Sequence, residues 1–144
     1  MFTSDTKPNR QRYMQTVTSY LLVTLFCVMF GSIYERFSHE VYSFFMIYAF
    51  VFPLAGGVLP FFLLMKHKKA YPSSFAASCY HAGIATLTTG SLLCGALEIY
   101  GTTNVLTTIY WILGAALLFV GISAYLIIAS VMQRMKKTQK EQAA

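Results

Sequence analysis

Four long apolar stretches, separated by short polar breaks, dominate the chain. The first runs from about Met14 to Tyr34, after the polar head TSDTKPNRQR. The second runs from about Phe44 to Met65 and stops at Lys66, His67, Lys68 and Lys69. The third follows Pro72 and continues to about Leu97, and the fourth covers about Val105 to Met132. A helix needs roughly 20 predominantly apolar residues to cross a bilayer. Core helices and strands of a soluble domain are shorter and alternate with polar faces. The pattern therefore predicts four transmembrane helices at about 14–34, 44–65, 73–97 and 105–132, with tails at 1–13 and 133–144. Short connections place consecutive helices side by side and antiparallel. The expected fold is all-α: a single membrane domain over 1–144, built as an up-down-up-down four-helix bundle.

Charge sets the expected orientation. All of the eleven Lys and Arg residues except Arg36 fall at the two tails or in the 66–69 connection. Basic residues next to spans mark the cytoplasmic side. Both termini are therefore expected inside a cytoplasmic membrane, with the loops around Ser38 and Thr102 outside. The first apolar run is too long for a cleavable leader and has no small-x-small site at a suitable distance.

Composition supports this class and removes others. Charged residues are 11% of the 144, against 56% hydrophobic and 16% aromatic, and the mean hydropathy is +0.56. Soluble domains devote about a quarter of their residues to charge, and disordered chains devote more. A net charge of +6 with pI near 9.3 would suggest nucleic acid on a soluble protein. Here the basic residues cap apolar spans, and no nucleic-acid partner is expected. The bilayer is the expected partner, together with further copies or another membrane protein. Cys27, Cys79 and Cys94 lie singly inside apolar runs, which indicates neither a disulfide framework nor a zinc site.

Lipid is as apolar as leucine, so helices in it associate through close packing and interhelical hydrogen bonds. In the third span Ala76, Cys79, Gly83, Thr86, Gly90 and Cys94 recur at offsets of three and four, a ridge of small side chains. Gly114 and Gly121 offer a complementary spacing in the fourth. The ridge places the third helix at the centre, and Ala76, Gly83, Gly90, Gly114 and Gly121 are the expected packing positions.

Two features carry candidate chemistry inside the membrane. Pro53, Gly56, Gly57 and Pro60 fall within eight residues of the second span. Each proline withholds an N–H and crowds the carbonyl four residues back, here Ala49 and Gly56. Such freed groups either line a solute site or mark a packing kink. His81 is the ionisable side chain well inside a span, about 10 Å into the third helix at 1.5 Å per residue. An intramembrane ionisable group suggests function. Ser74, Ser78, Ala85 and Thr88 share its face, so His81, Ser78, Thr88, Pro53, Gly56, Gly57 and Pro60 form a candidate solute or proton path. A structural hydrogen bond to another helix is the competing role. Haem ligation through two histidines would need His81 from two copies.

The outer ends of the spans gather Glu35, His39, Glu40 and Glu98. Were the first helix to continue, Glu35 and His39 would be i,i+4 neighbours. The group is a candidate outer polar cluster, able either to attract cations or simply to pair with Arg36 and solvent. No HExxH or paired ExxH motif is present, and no metal is expected. The first span lacks the buried carboxylate of small multidrug exporters. No pair of outer cysteines suits disulfide-forming membrane enzymes, and no set of intramembrane histidines suits a di-haem cytochrome. Phosphate-binding glycine loops and Ser/His/Asp constellations are also missing, so neither catalytic residues nor a cofactor is expected.

The segments YERFSHEVYSFFMIYAFVFPLAGG (Tyr34 to Gly57) and YHAGIATLTTGSLLCGALEIYGTTN (Tyr80 to Asn104) resemble stretches of uncharacterised small four-span membrane proteins of Gram-positive bacteria. The resemblance covers about half the chain. It implies a bacterial cytoplasmic-membrane protein, brings no activity with it, and directs attention to Glu35, His39, His81, Glu98 and Asn104. The expected function is a small transporter or a membrane subunit of a transport assembly, not an enzyme. The alternatives are a non-transporting structural or regulatory partner that docks through the small-residue ridge, and, more remotely, a haem-bearing electron carrier.

Overall fold

A computed structural model describes residues 9–37, 43–67, 71–102 and 104–142, and everything described is helix or short connection. Helix α1 spans Asn9–Phe37. The second apolar stretch holds three pieces: a one-turn helix α2, Phe44–Ile47, a π-helical segment Phe52–Val58, and helix α3, Leu59–Lys66. Helix α4 spans Ser74–Ile99 and α5 spans Thr107–Gln142. The four stretches Arg10–Phe37, Phe44–Lys66, Ser74–Ile99 and Thr107–Gln139 are long and apolar enough to cross a membrane.

Local chemistry explains the ends. The Ser73 hydroxyl accepts from the Ala76 N–H and starts α4, a standard serine N-cap. At the other end Gly101 takes φ +70°, and the Thr102 N–H returns to the Leu97 carbonyl at 3.0 Å. That left-handed glycine stop ends α4 two residues beyond the expected Leu97. The beginning of α5 is set by Asn104, whose side-chain oxygen accepts from the Leu106 N–H at 2.9 Å.

The second stretch departs from a plain kinked helix. The chain turns at Tyr48–Phe50, and Pro53 then sits in the first turn of the π segment while Pro60 sits in the first turn of α3. A proline costs least in a first turn, where its missing N–H has no partner to lose, and Pro53, just after the turn, meets that condition. Pro60 follows the π segment without a break, so its missing N–H does leave a carbonyl of the preceding turn without that donor. The widened register appears directly in the Leu59 N–H, which reaches back five residues to the Leu54 carbonyl.

Packing is densest between α4 and α5. A Cβ built on Gly83 would lie 2.9 Å from the Leu118 backbone nitrogen, and one on Gly121 would lie 2.8 Å from that of Tyr80. Gly90 faces Tyr110, and Gly114 faces Leu87. These pairs climb α4 as they descend α5. Ala76 is buried in the same seam, whereas Cys79, Thr86 and Cys94 are only half-buried beside it. The small side chains of α4 thus divide between two neighbours. Gly95 lies against the Met46 backbone, and the Ser91 hydroxyl donates to the Phe45 carbonyl at 2.6 Å, so a second face of α4 holds α2. Helix α1 rests on the second stretch, with Gly31 beside Met46 and Tyr20 beside Gly57.

The outward sides of α1 and α5 are apolar, with Leu22, Phe26, Met29, Ile112, Phe119, Leu126 and Ile127 among the exposed residues. An apolar exterior of that extent suits lipid and not water.

Candidate functional site

Phe61, 3% exposed, is the centre of an aromatic cluster where α1, α3 and α4 meet. Around it stand Tyr13 at 6.4 Å, Tyr20 at 6.1 Å, Tyr71 at 6.1 Å and Tyr80 at 5.9 Å between ring centres. The His81 ring stacks on it at 5.1 Å and 23°. Part-buried tyrosines need partners for their hydroxyls, and here each choice ties together segments distant in the chain. The Tyr71 hydroxyl and the Thr16 hydroxyl are 3.0 Å apart. Tyr80 donates to the Gly56 carbonyl at 2.6 Å. Tyr20 meets the His81 Nδ1 at 2.6 Å, 61 positions apart in the chain. Among the described residues no buried side-chain nitrogen or oxygen is left without a partner.

The Gly56 carbonyl is one of the two that the prolines were expected to free. Pro60 withholds the N–H that would serve it in α-helical register, and the Tyr80 hydroxyl supplies a donor instead. The other carbonyl, on Ala49, belongs to the turn preceding Pro53, so no helical register is interrupted there.

A cavity of about 500 Å³ opens between α1 and α4 over Pro53. Tyr20 and His81 stand in its wall with Gln15, Thr16, Ser19, Thr88 and Thr89, and apolar residues such as Val23, Phe26, Ile84, Ala85 and Leu92 line the rest. Of the proposed path residues, His81, Thr88 and Pro53 meet here. Gly56 and Gly57 lie behind the wall, packed on Ile84 and Tyr20. Pro60 belongs to a different cavity, described below. Ser78 is exposed and is not in the lining. Thr88 is buried, and its hydroxyl donates to the Ile84 carbonyl of its own helix at 2.8 Å, leaving only its oxygen lone pairs for a guest. The wall carries no carboxylate and no Lys or Arg. What it offers is neutral donors and acceptors around one imidazole.

Of the expected outer cluster, Glu35 and Glu98 lie among the described residues. Ser43, 1% exposed, donates to the Glu98 carboxylate at 2.5 Å while its oxygen caps α2 by accepting from the Met46 N–H. Glu98 thus serves to anchor the entry of the second stretch. Glu35 lies in the last turn of α1, and His39 and Glu40 lie outside the described residues. Among the described residues no group of three or more His, Cys, Asp and Glu is placed to hold a metal ion.

Tyr20 and Phe61 were not marked by hydropathy, which scores them as ordinary span residues, and Ser43 falls just before the second span. For the tyrosines a signal was present: membrane tyrosines favour the two interfaces, and in the sequence Tyr20 and Tyr80 fall inside apolar stretches, away from their ends. Comparison with protein-family models, curated proteins and solved structures yields no match for this chain.

Proposed function

We propose that the protein is a non-enzymatic, multi-pass protein of a bacterial cytoplasmic membrane, arranged up-down-up-down with both termini inside. It works as a small transporter or as the membrane subunit of a transport assembly, and its solute or proton path runs through the cavity between α1 and α4. The observation that carries this reading is the Tyr20–His81 pair, 2.6 Å apart, set in a cavity wall beside an interrupted helix. An ionisable group at that depth is expensive and tends to mark a path, and broken helices border solute sites in transporters. The order of contacts along neighbouring helices supports the antiparallel arrangement, and the placement of basic residues supports the orientation.

The wall suits an uncharged or hydrogen-bonding solute, since it has no fixed counter-charge for an ion. The alternative of a purely structural partner relied on the small-residue ridge as its docking face. Ala76, Gly83 and Gly90 of that ridge are used within the chain, which leaves less of it for a partner.

The test is purified protein in proteoliposomes loaded with a pH-reporting dye, under an imposed potassium diffusion potential. Proton entry above that of empty vesicles is expected, together with its loss in His81→Gln. Entry equal to that of empty vesicles, with the protein shown to be folded and inserted, would overturn the proton path.

A further inference from the structure

A second cavity, of about 400 Å³, lies between α3, α4 and α5 at the end where α3 gives way to α4. Pro60, Leu63, Ala77, Ile122 and Tyr125 line it, and His67 stands at its edge. Tyr80 also borders it, with its hydroxyl committed to Gly56, so apart from the Tyr125 hydroxyl and the His67 ring the lining is hydrocarbon. A space with so few polar groups suits hydrocarbon better than ordered water, which needs two to four polar partners. Along α4 the lining runs from Ala76 to Tyr80, about 6 Å at 1.5 Å per residue, and Pro72 of the preceding connection extends it. Lys66 and His67 are exposed at this end, and in the sequence Lys68 and Lys69 follow directly.

We propose that this cavity seats an acyl chain of an anionic phospholipid whose headgroup lies against Lys66 and His67. The apolar interior selects hydrocarbon, and the cationic edge selects the sign of the headgroup, as in basic pockets between transmembrane helices. A second copy of the chain is a poorer occupant, because its own basic edge would meet this one in a chain of net charge +6. The site is separate from the cavity at His81 and does not depend on transport.

Native mass spectrometry of the full-length protein, released from detergent containing equal amounts of dioleoyl phosphatidylglycerol and dioleoyl phosphatidylcholine, tests it. The parent should retain one phosphatidylglycerol in preference to phosphatidylcholine. A surface cation near an anionic lipid favours it by about fivefold, so the exposed-site double variant Lys66→Gln/His67→Gln should lose several-fold selectivity while still holding lipid. Leu63→Trp, also at an exposed position, should fill the cavity and lose both lipids while keeping Lys66 and His67. Equal retention of the two lipids by the parent would overturn the proposal. So would undiminished selectivity in the double variant, or a dimer that excludes lipid from Leu63.

Discussion

The hydroxyl of Tyr80 donates to the carbonyl oxygen of Gly56 at 2.6 Å, tying α4 to the π-helical segment of the second stretch. The bond answers a deficit that Pro60 creates. Within a bilayer the deficit would have no water to fill it, so the pairing of these two residues secures the stretch whose backbone, among the described residues, departs from α-helix.

Tyr80→Phe should therefore destabilise the protein by about 1 kcal/mol, typical of an interhelical hydrogen bond in lipid. Pro60→Ala restores an N–H within reach of Gly56. In a double-mutant cycle the two changes should couple, with the tyrosine loss smaller in the alanine background. Unfolding in detergent or bicelles measures this, and strict additivity would contradict the compensation.

At the Tyr20–His81 pair, stability and flux should separate. His81→Ala and Tyr20→Phe each remove the bond and should cost roughly 1 kcal/mol. His81→Gln keeps a hydrogen-bonding group for Tyr20 but cannot carry a proton near neutral pH. It should preserve stability and lose proton entry. If the glutamine variant conducts like the parent, the imidazole serves structure alone.

The glycines should not respond equally. A methyl at Gly83 or Gly121 would meet backbone atoms below 3.0 Å, whereas one at Gly31 would meet Met46 no closer than 3.5 Å. Gly83→Ala and Gly121→Ala should each cost about 1–3 kcal/mol, the range for overpacking a tight site. Gly31→Ala should be nearly silent, and Gly83→Leu or Gly90→Leu should prevent proper assembly. Thermal unfolding of the series checks the ranking. Comparable stability of Gly83→Leu and the parent would mean that α4 and α5 do not meet there.

The orientation makes a separate prediction. Reporters fused after Ala144 and inserted between Lys66 and Lys69 should read as cytoplasmic, and one at Thr102 as external. An external signal from the basic connection would reverse the assigned sides.

The four apolar spans were legible because spanning length and hydropathy are strong, local signals. The seam of Gly83, Gly90, Gly114 and Gly121 is likewise written as a spacing. The division of the α4 small residues between two faces is not, since offsets of three and four suit more than one neighbour on a cylinder. The prolines were visible, but their effect was misjudged at Ala49: whether Pro53 interrupts a helix or begins one depends on the turn at Tyr48–Phe50, which apolar residues do not announce. Glu98 was read as a member of an outer acidic group, but its partner Ser43, 55 residues distant, carried no signal in the sequence. Partnerships of that kind, like Tyr20 with His81, exist only once helices are laid side by side.

Helix α1 leans on the second stretch, and its link to α4 across the groove runs through side-chain hydroxyls, chiefly that of Tyr20. Any guest that bonds to Nδ1 of His81 must take the place of the phenol. Docking and the parting of the two helices then become a single exchange, one hydrogen bond traded for another. The energy at stake is the small difference between two partners of one imidazole, so the clasp that closes the groove is also the lock that a suitable guest can turn.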